Sequence, residues 1–339
     1  TGASYAVQAQ SDLHVSGDIT ATGAGGVLLN AGVSGAGDLT FGAGVEIHAN
    51  AMTLSAGNGT GASIVDVITN SPVFRGAAGG ATSPTFFQFR QDVDIDSSVL
   101  PSVATQFGNG IAGMDYRINA RNGAITIDTA ASVADSALRL TASDWIVISD
   151  ELQLASLRAT TAIAYNGSVT TSGGDIRHDA AVQTLGNALL DANGGLISFF
   201  STLAVDGPSL TLIAGDIDFA GTVTPGAAAT LSIQPSDPTK DIYLGGTGSE
   251  GSGDMHLTAA EIARLGGGFA DINIGRSDSS GTIYVRSAVS FQDPVTLVAS
   301  EPGAAIRVEA LLEGTDDASI TLDGSGATTY LLADIRTAG

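Results

Sequence analysis

The chain of 339 residues contains no cysteine, which excludes disulfides, zinc–thiolate sites and iron–sulfur clusters. Basic residues are scarce: 13 Lys and Arg stand against 35 Asp and Glu, Lys240 is the only lysine, and the net charge is −22. Because phosphate neutralisation needs clustered Lys and Arg, this balance excludes a basic nucleic-acid binder. Long apolar runs are also missing, since charge-free stretches such as residues 19–37 are broken by Gly and Thr. We therefore expect no membrane span.

Aromatic side chains make up only 5% of the chain and charged residues 14%, whereas hydrophobic residues reach 43% and glycine contributes 45 residues. The plentiful Val, Ile and Leu exclude a disordered acidic chain. The glycines do not recur at every third position, which excludes collagen. Thin aliphatic side chains combined with many glycines favour short strands joined by tight corners.

A short apolar–X–apolar pattern recurs along almost the whole chain. It is clearest in residues 38–56, where the apolar pairs are Leu39/Phe41, Val45/Ile47 and Met52/Leu54. This period of two indicates strands with one buried face, and the two- to four-residue connections are too short for βαβ crossovers. Three short strands in a coil of about 20 residues, stacked on the next coil, explain the series. The sequence thus predicts an all-β fold: one elongated parallel β-helix (β-solenoid) over residues 1–339. Variable strand spacing favours the right-handed form.

Two segments depart from this pattern. Residues 72–123 concentrate proline and phenylalanine, and we interpret them as a lateral insertion in which FFQFRQDVDI is extended and MDYRINA returns beside it. Residues 258–265 predict one short helix, with Thr258 as N-cap, Glu261 completing a capping box and Gly266 as C-cap.

Three phrases carry a family resemblance. They are MHLTAAEIARLGGGFADINIGR at 255–276, TFFQFRQDVDI at the start of 85–127, and GSVTTSGGDIRHDAAV at 167–182. Together they resemble a recurring unit of large bacterial exoproteins of the filamentous-haemagglutinin-like type. The resemblance implies a right-handed β-helical shaft, secretion to the bacterial cell surface, and an adhesive or fibril-forming role.

The strongest metal candidate is an alternating acidic strand. Asp92, Asp94 and Asp96 share one face, and calcium prefers six to eight oxygen ligands, so these carboxylates are a candidate Ca²⁺ site. The alternative is a solvated outer face opposite Val93 and Ile95. Calcium is the one cofactor that the sequence suggests.

The same carboxylates with Arg90 also fit the chemistry of a polysaccharide lyase or hydrolase on a β-helix. The chain has only one Trp and six Tyr, so the aromatic platform expected for such an enzyme is nearly absent, and we expect no enzyme. The histidines are widely separated and form no metal or triad motif. We expect Trp145 in the core and Asp216 and Asp218 facing solvent.

These observations predict a structural protein of the extracellular space or cell surface that forms a fibre, sheath or adhesin shaft. Its expected partner is a second copy, or further coils of a longer β-helix. The alternative is an adhesin module that recognises a ligand, such as a host or surface glycan, through the 72–123 insertion. Its candidate interface residues are Phe86, Phe87, Phe89 and Tyr116.

Overall fold

The computed structural model of the chain is a parallel β-solenoid, as the apolar pattern predicts. It describes residues 4–21, 25–33, 37–42, 45–48, 51–56, 65–66, 73–75, 84–89, 93–95, 115–120, 125–127, 130–249, 251, 253–316 and 318–337. The chain divides into two compact units, unit 1 (Thr1–Ile163) and unit 2 (Ala164–Gly339). Within the described ranges, every strand pairing is parallel and one short helix occurs. The handedness of the coils stays a prediction.

Unit 1 consists of short strands. They are β1 (Tyr5–Gln8), β2 (Leu13–Val15), β3 (Ile19–Thr20), β4 (Gly26–Ala31), β5 (Leu39–Phe41), β6 (Glu46–His48), β7 (Ala51–Ala56), β8 (Val65–Asp66), β9 (Val73–Arg75), β10 (Pro84–Phe89), β11 (Val93–Ile95), β12 (Asp115–Ala120), β13 (Ile125–Ile127), β14 (Ala131–Ala142), β15 (Ile146–Ile148) and β16 (Leu152–Ala159). Strand β17 (Ile163–Tyr165) lies at the boundary with unit 2.

The first coils of unit 1 have three faces. Strands β1, β4 and β7 stack on one face, β2, β5 and β8 on the second, and β3, β6 and β9 on the third. The inward positions are apolar: Leu29, Leu39, Phe41 and Ile47 are fully buried. The predicted pairs of residues 38–56 therefore face the core wherever their side chains are described, and their burial holds successive coils together.

The strands described within residues 72–123 belong to the parallel ladders, and the lateral insertion predicted there stays a prediction. Strand β10 pairs in parallel with β7 on one side and with β12 on the other, while β9 pairs with β6 and β11 with β13. The MDYRINA segment thus lies beside FFQFRQDVDI, through β12 and β10, and the two strands are parallel. A full coil brings the chain back in the same direction, so each strand finds ladder partners in the stack. The remaining residues of 72–123 lie outside the described ranges.

Trp145 differs from expectation, because its side chain is 39% exposed. Ile146 and Ile148, which follow it, occupy the inward positions of β15 and are fully buried. Since successive strand residues point to opposite faces, the pattern leaves no inward position for the indole.

Unit 2 also consists mainly of short β-strands. Its strands are β18 (Ser168–Thr171), β19 (Ile176–His178), β20 (Val182–Thr184), β21 (Ala188–Asp191), β22 (Leu196–Phe199), β23 (Leu203–Val205), β24 (Ser209–Ala214), β25 (Asp216–Phe219), β26 (Val223–Pro225), β27 (Thr230–Pro235), β28 (Ile242–Leu244), β29 (Met255–Leu257), β30 (Asp271–Arg276), β31 (Thr282–Val285), β32 (Val289–Phe291), β33 (Val295–Ala299), β34 (Ala305–Val308), β35 (Leu312–Gly314), β36 (Ile320–Asp323), β37 (Thr328–Leu331) and β38 (Ile335–Thr337).

Unit 2 also has three faces per coil. The first face runs through β18, β21, β24, β27, β30, β33 and β36. One inward row on this face consists of Leu190, Leu212, Ile233, Ile274 and Leu297, which are paired in register and fully buried. The second face contains β19, β22 and β25, and then β29, β28, β31, β34 and β37. The third contains β20, β23 and β26, and later β32, β35 and β38.

The helix α1 (Ala259–Ile262) begins where the sequence predicts and ends earlier. Thr258 is the N-cap, and its hydroxyl and the Glu261 carboxylate form both bonds of the capping box. The C-cap is Ala263 rather than the predicted Gly266. The chain leaves the helix because Leu265 forms a parallel bridge with Val223 and joins the third face.

Candidate functional site

The predicted calcium residues fall largely outside the described chain. Asp92 and Asp96 lie beyond the described ranges, and only the backbone of Asp94 is described, in β11, where it pairs with Thr126. Within the described ranges, no group of three or more His, Cys, Asp or Glu side chains lies close enough together to hold a metal ion. The calcium site stays a prediction.

The predicted aromatic interface is described only by its backbone. In the register of β10 with β12, Phe86 pairs with Arg117, Phe87 with Ile118 and Phe89 with Ala120, and Thr85 pairs with Tyr116. These residues lie on strands of neighbouring coils of the solenoid, not on two strands of a side domain. Their use as an interface stays a prediction.

A different set of aromatic residues forms a row on the second face of unit 2, in which Tyr243 is buried, with 8% of its surface exposed, and the others are partly exposed. Backbone register places Tyr243 beside Tyr284, Tyr284 beside Arg307, and Arg307 beside Tyr330. Their neighbours along each strand point inward: Ile283, Val285, Ile306 and Val308 are buried. Alternation along the strand therefore projects the residues between them outward.

We call Tyr243, Tyr284, Arg286, Arg307 and Tyr330 the Tyr–Arg stack. The Tyr243 and Tyr284 rings are stacked, with centroids 5.0 Å apart and planes inclined by 6°. The Arg286 guanidinium lies 4.4 Å from the Tyr284 centroid and 5.6 Å from that of Tyr243. The Arg307 guanidinium lies between two coils, 6.0 Å from the Tyr284 centroid and 4.8 Å from that of Tyr330. Cation–π attraction holds both guanidinium groups against the rings.

Glu309 bridges the two arginines of the stack. Its carboxylate accepts a bond from Arg286 Nη1 and one of 2.9 Å from Arg307 Nε. The hydrogen bond from Arg307, with further contributions from Arg286, lowers the pKa of Glu309 below its usual value. The arginine side chains keep 38% and 34% of their surface exposed. Two fixed, partly exposed cations thus share one carboxylate.

His256, which is buried, and Asp216 continue the row of contacts beyond Tyr243. The His256 ring stacks on Tyr243 at 5.5 Å, and its Nδ1 lies 3.8 Å from the Asp216 carboxylate. Asp216 was expected to face solvent. It is instead partly covered, and its Oδ1 accepts the backbone N–H of His256 at 2.9 Å. Burial raises its pKa, while the hydrogen bonds from His256 and Ile217 act in the opposite direction.

A second aromatic row lies in the interior of unit 2. His178 stacks on Phe199 at 4.8 Å, Phe199 stacks on Phe219 at 5.6 Å, and Tyr165 Oη lies 2.7 Å from His178 Nε2. Burial lowers the pKa of His178 to about 4 and raises that of Tyr165. Because these groups are fully buried, the row stabilises the core and offers no chemistry to a ligand.

The Tyr–Arg stack is not evident from the sequence patterns described above. Its signal is the central residue of the apolar triplets IYL (242–244), IYV (283–285) and IRV (306–308). Aligning these triplets coil by coil would have placed Tyr and Arg on one outer row. The irregular step between β28 and β31, which includes β29 and α1, hides that alignment.

The fold defines the chain as a parallel β-solenoid protein. Comparisons with protein-family models, with curated proteins and with solved structures find no match. The filamentous-haemagglutinin-like resemblance therefore stays a prediction. Across the described residues, no helix is both long and apolar enough to cross a membrane.

Proposed function

We propose that this protein is a structural β-solenoid, a shaft segment of an extracellular or cell-surface fibre in which coils stack on one another. The observation that supports this role is the last described coil of unit 2. Among the described residues, β36 pairs only with β33, β37 only with β34 and β38 only with β35. The other edge of each strand presents backbone N–H and C=O groups that a further coil would satisfy.

Two inward positions of this coil carry apolar side chains that are not buried, Leu331 and Ile335. Leu331 is in register with the fully buried Val308, yet it is 61% exposed. Ile335 is likewise in register with the buried Leu312. Covering such side chains contributes about 25 cal/mol for each Å² of apolar surface removed from water. A second solenoid coil supplies both the missing ladder and this cover.

The charge of the molecule favours axial over lateral contact. A net charge of −22 makes the sides of neighbouring molecules repel one another. The repulsion leaves stacking at the coil edge as the favoured geometry for association. A fibre role of this kind also agrees with the family resemblance of the sequence phrases.

The test compares two leucines of equal exposure. Leu331 and Leu332 are both 61% exposed, but only Leu331 is in register with the inward residue Val308. We expect the unchanged chain and its matched control, Leu332→Asp, to associate with rising concentration in sedimentation velocity. Leu331→Asp should stay monomeric, because a carboxylate would be buried in the stacked coil. A single monomeric species at every concentration, or equal association of Leu331→Asp and the unchanged chain, overturns the proposal.

A further inference from the structure

We propose that the Tyr–Arg stack and Glu309 form a binding site for a neutral glycan chain, which lies along the stacked coils of unit 2. The site shares one residue, Tyr330 of β37, with the coil edge of the shaft proposal, whereas Arg286, Arg307 and Glu309 lie on or directly after the preceding strands β31 and β34 and are not needed for coil stacking. Each proposal can therefore fail without the other.

The first argument is the mixture of donors and acceptors on this surface. Arg286 and Arg307 present guanidinium N–H donors, Glu309 presents carboxylate acceptors, and the tyrosine hydroxyls can do both. A sugar hydroxyl also donates and accepts, so adjacent hydroxyls on one ring match a neighbouring guanidinium and carboxylate. A ligand that only accepts would leave the Glu309 oxygens facing its own acceptors.

The second argument is that these groups are already held in place. Arg307 is fixed by a 2.9 Å bond from Nε to Glu309 and by its position 4.8 Å from the Tyr330 centroid. Arg286 is fixed by the same carboxylate and by the Tyr284 ring. Planar guanidinium groups that are stacked and paired lose little further freedom on binding.

The third argument is the linear repeat of the site. Tyr284, Arg307 and Tyr330 are not buried and belong to successive strands of one ladder, and neighbouring strands lie about 4.8 Å apart. The binding groups therefore recur along a line parallel to the direction of coil stacking. A polymer with a hydroxyl-bearing ring at each step can use the whole row, whereas a compact ligand contacts one coil.

The geometry also shows which rings can contact a sugar. Tyr243 is buried and covers one face of the partly exposed Tyr284 ring, so Tyr284 offers mainly its hydroxyl edge. With the β37 edge open, Tyr330 is 41% exposed and provides apolar surface against which the C–H face of a sugar ring can pack, whereas a further coil stacked on β37 would cover part of this ring.

The charge of the surroundings favours a neutral chain over a polyanion. The two arginines share the Glu309 carboxylate. Burial is the main cause that raises the pKa of Tyr243, and the negative charges of Asp241 and Asp254 raise it further. The whole chain carries a net charge of −22. A polyanion would have to approach this field, whereas a neutral glycan does not.

The experiment is affinity electrophoresis of the full chain in native gels that contain hydroxyethylcellulose, galactomannan, dextran or soluble starch. We expect retardation in at least one of these gels, unchanged when NaCl is raised from about 0.05 to about 0.5 M. Arg307→Ala should bind about tenfold more weakly in the same gel, as expected for loss of a charged hydrogen-bond donor. The matched control is Arg177→Ala, because Arg177 also lies over an aromatic ring, Phe200, away from the stack.

Arg307→Lys keeps the charge without the planar fork, and it serves if Arg307→Ala does not fold. It should also bind more weakly. Migration unaffected by all four polysaccharides overturns the proposal, as does equal retardation of the unchanged chain and both Arg307 variants. Retardation only in a sodium alginate gel, abolished by salt, overturns the neutral ligand in favour of an anionic one.

Discussion

At the scale of single residues, the imidazole of His178 is a titratable group in the interior of unit 2. The ring is fully buried between Tyr165 and Phe199. Its Nε2 lies 2.7 Å from Tyr165 Oη and its Nδ1 3.3 Å from the carbonyl oxygen of Ser198. A neutral ring satisfies both contacts, with Nδ1–H donating to the carbonyl and Nε2 accepting from the phenol.

This environment predicts a specific loss of stability in acid. Burial lowers the pKa of His178 from 6.5 to about 4, so the unfolded chain binds the proton more tightly than the folded chain. Stability is therefore complete above pH 6.5 and decreases as the pH falls towards 4. The decrease is about 3 kcal/mol in the free energy of unfolding.

The measurement is chemical unfolding of the full chain, followed by circular dichroism across this pH range. His178→Phe should abolish the part of the slope that this histidine causes, while His14→Gln, at an exposed position, should keep it. An unchanged slope in His178→Phe would show that other groups govern acid stability.

At the scale of elements, the corners of the coils explain the high glycine content. A Cβ atom on Gly207 would lie well inside van der Waals contact of the Gly186 backbone oxygen in the neighbouring coil. Gly195 and Gly221 are equally close to the backbone of the preceding coil. Stacked corners of this kind bring backbone directly onto backbone, which only glycine permits.

Gly207→Ala should therefore destabilise unit 2 by about 1–3 kcal/mol, the usual cost of overpacking a tight site. The free energy of unfolding in urea measures this effect. Gly17→Ala is the matched control, because a Cβ at Gly17 meets no atom within 4 Å. Equal stability of the two variants would mean that the corners of neighbouring coils do not pack backbone against backbone as closely as described.

The elements also show how far sequence reasoning extends. Alternating pairs such as Leu39/Phe41 and Ile306/Val308 identified the buried rows, because an inward position demands an apolar side chain. The start of α1 was predictable because Thr258 and Glu261 satisfy its free N–H groups locally. Its end was not, because Leu265 is drawn into the third face by Val223, a residue far away in sequence.

At the scale of the whole molecule, the parallel β-solenoid was predictable and the Tyr–Arg stack was not. Short connections between apolar pairs leave few arrangements other than stacked coils. The Tyr–Arg stack, in contrast, depends on which coil lies beside which. That order is altered by the loop between β28 and β29, which adds a strand to the second face. The parallel pairing of β10 with β7 and with β12 likewise depends on the order of the coils, which the sequence alone does not show.

The account rests on coil stacking, and cryo-electron microscopy of the purified full chain tests it most directly. We expect elongated particles with a layer line at about 4.8 Å along their long axis, the spacing of neighbouring parallel strands. End-to-end filaments of such particles should become more frequent with concentration and should be absent in Leu331→Asp. Compact particles with no axial repeat near this spacing would contradict the stacked-coil shaft.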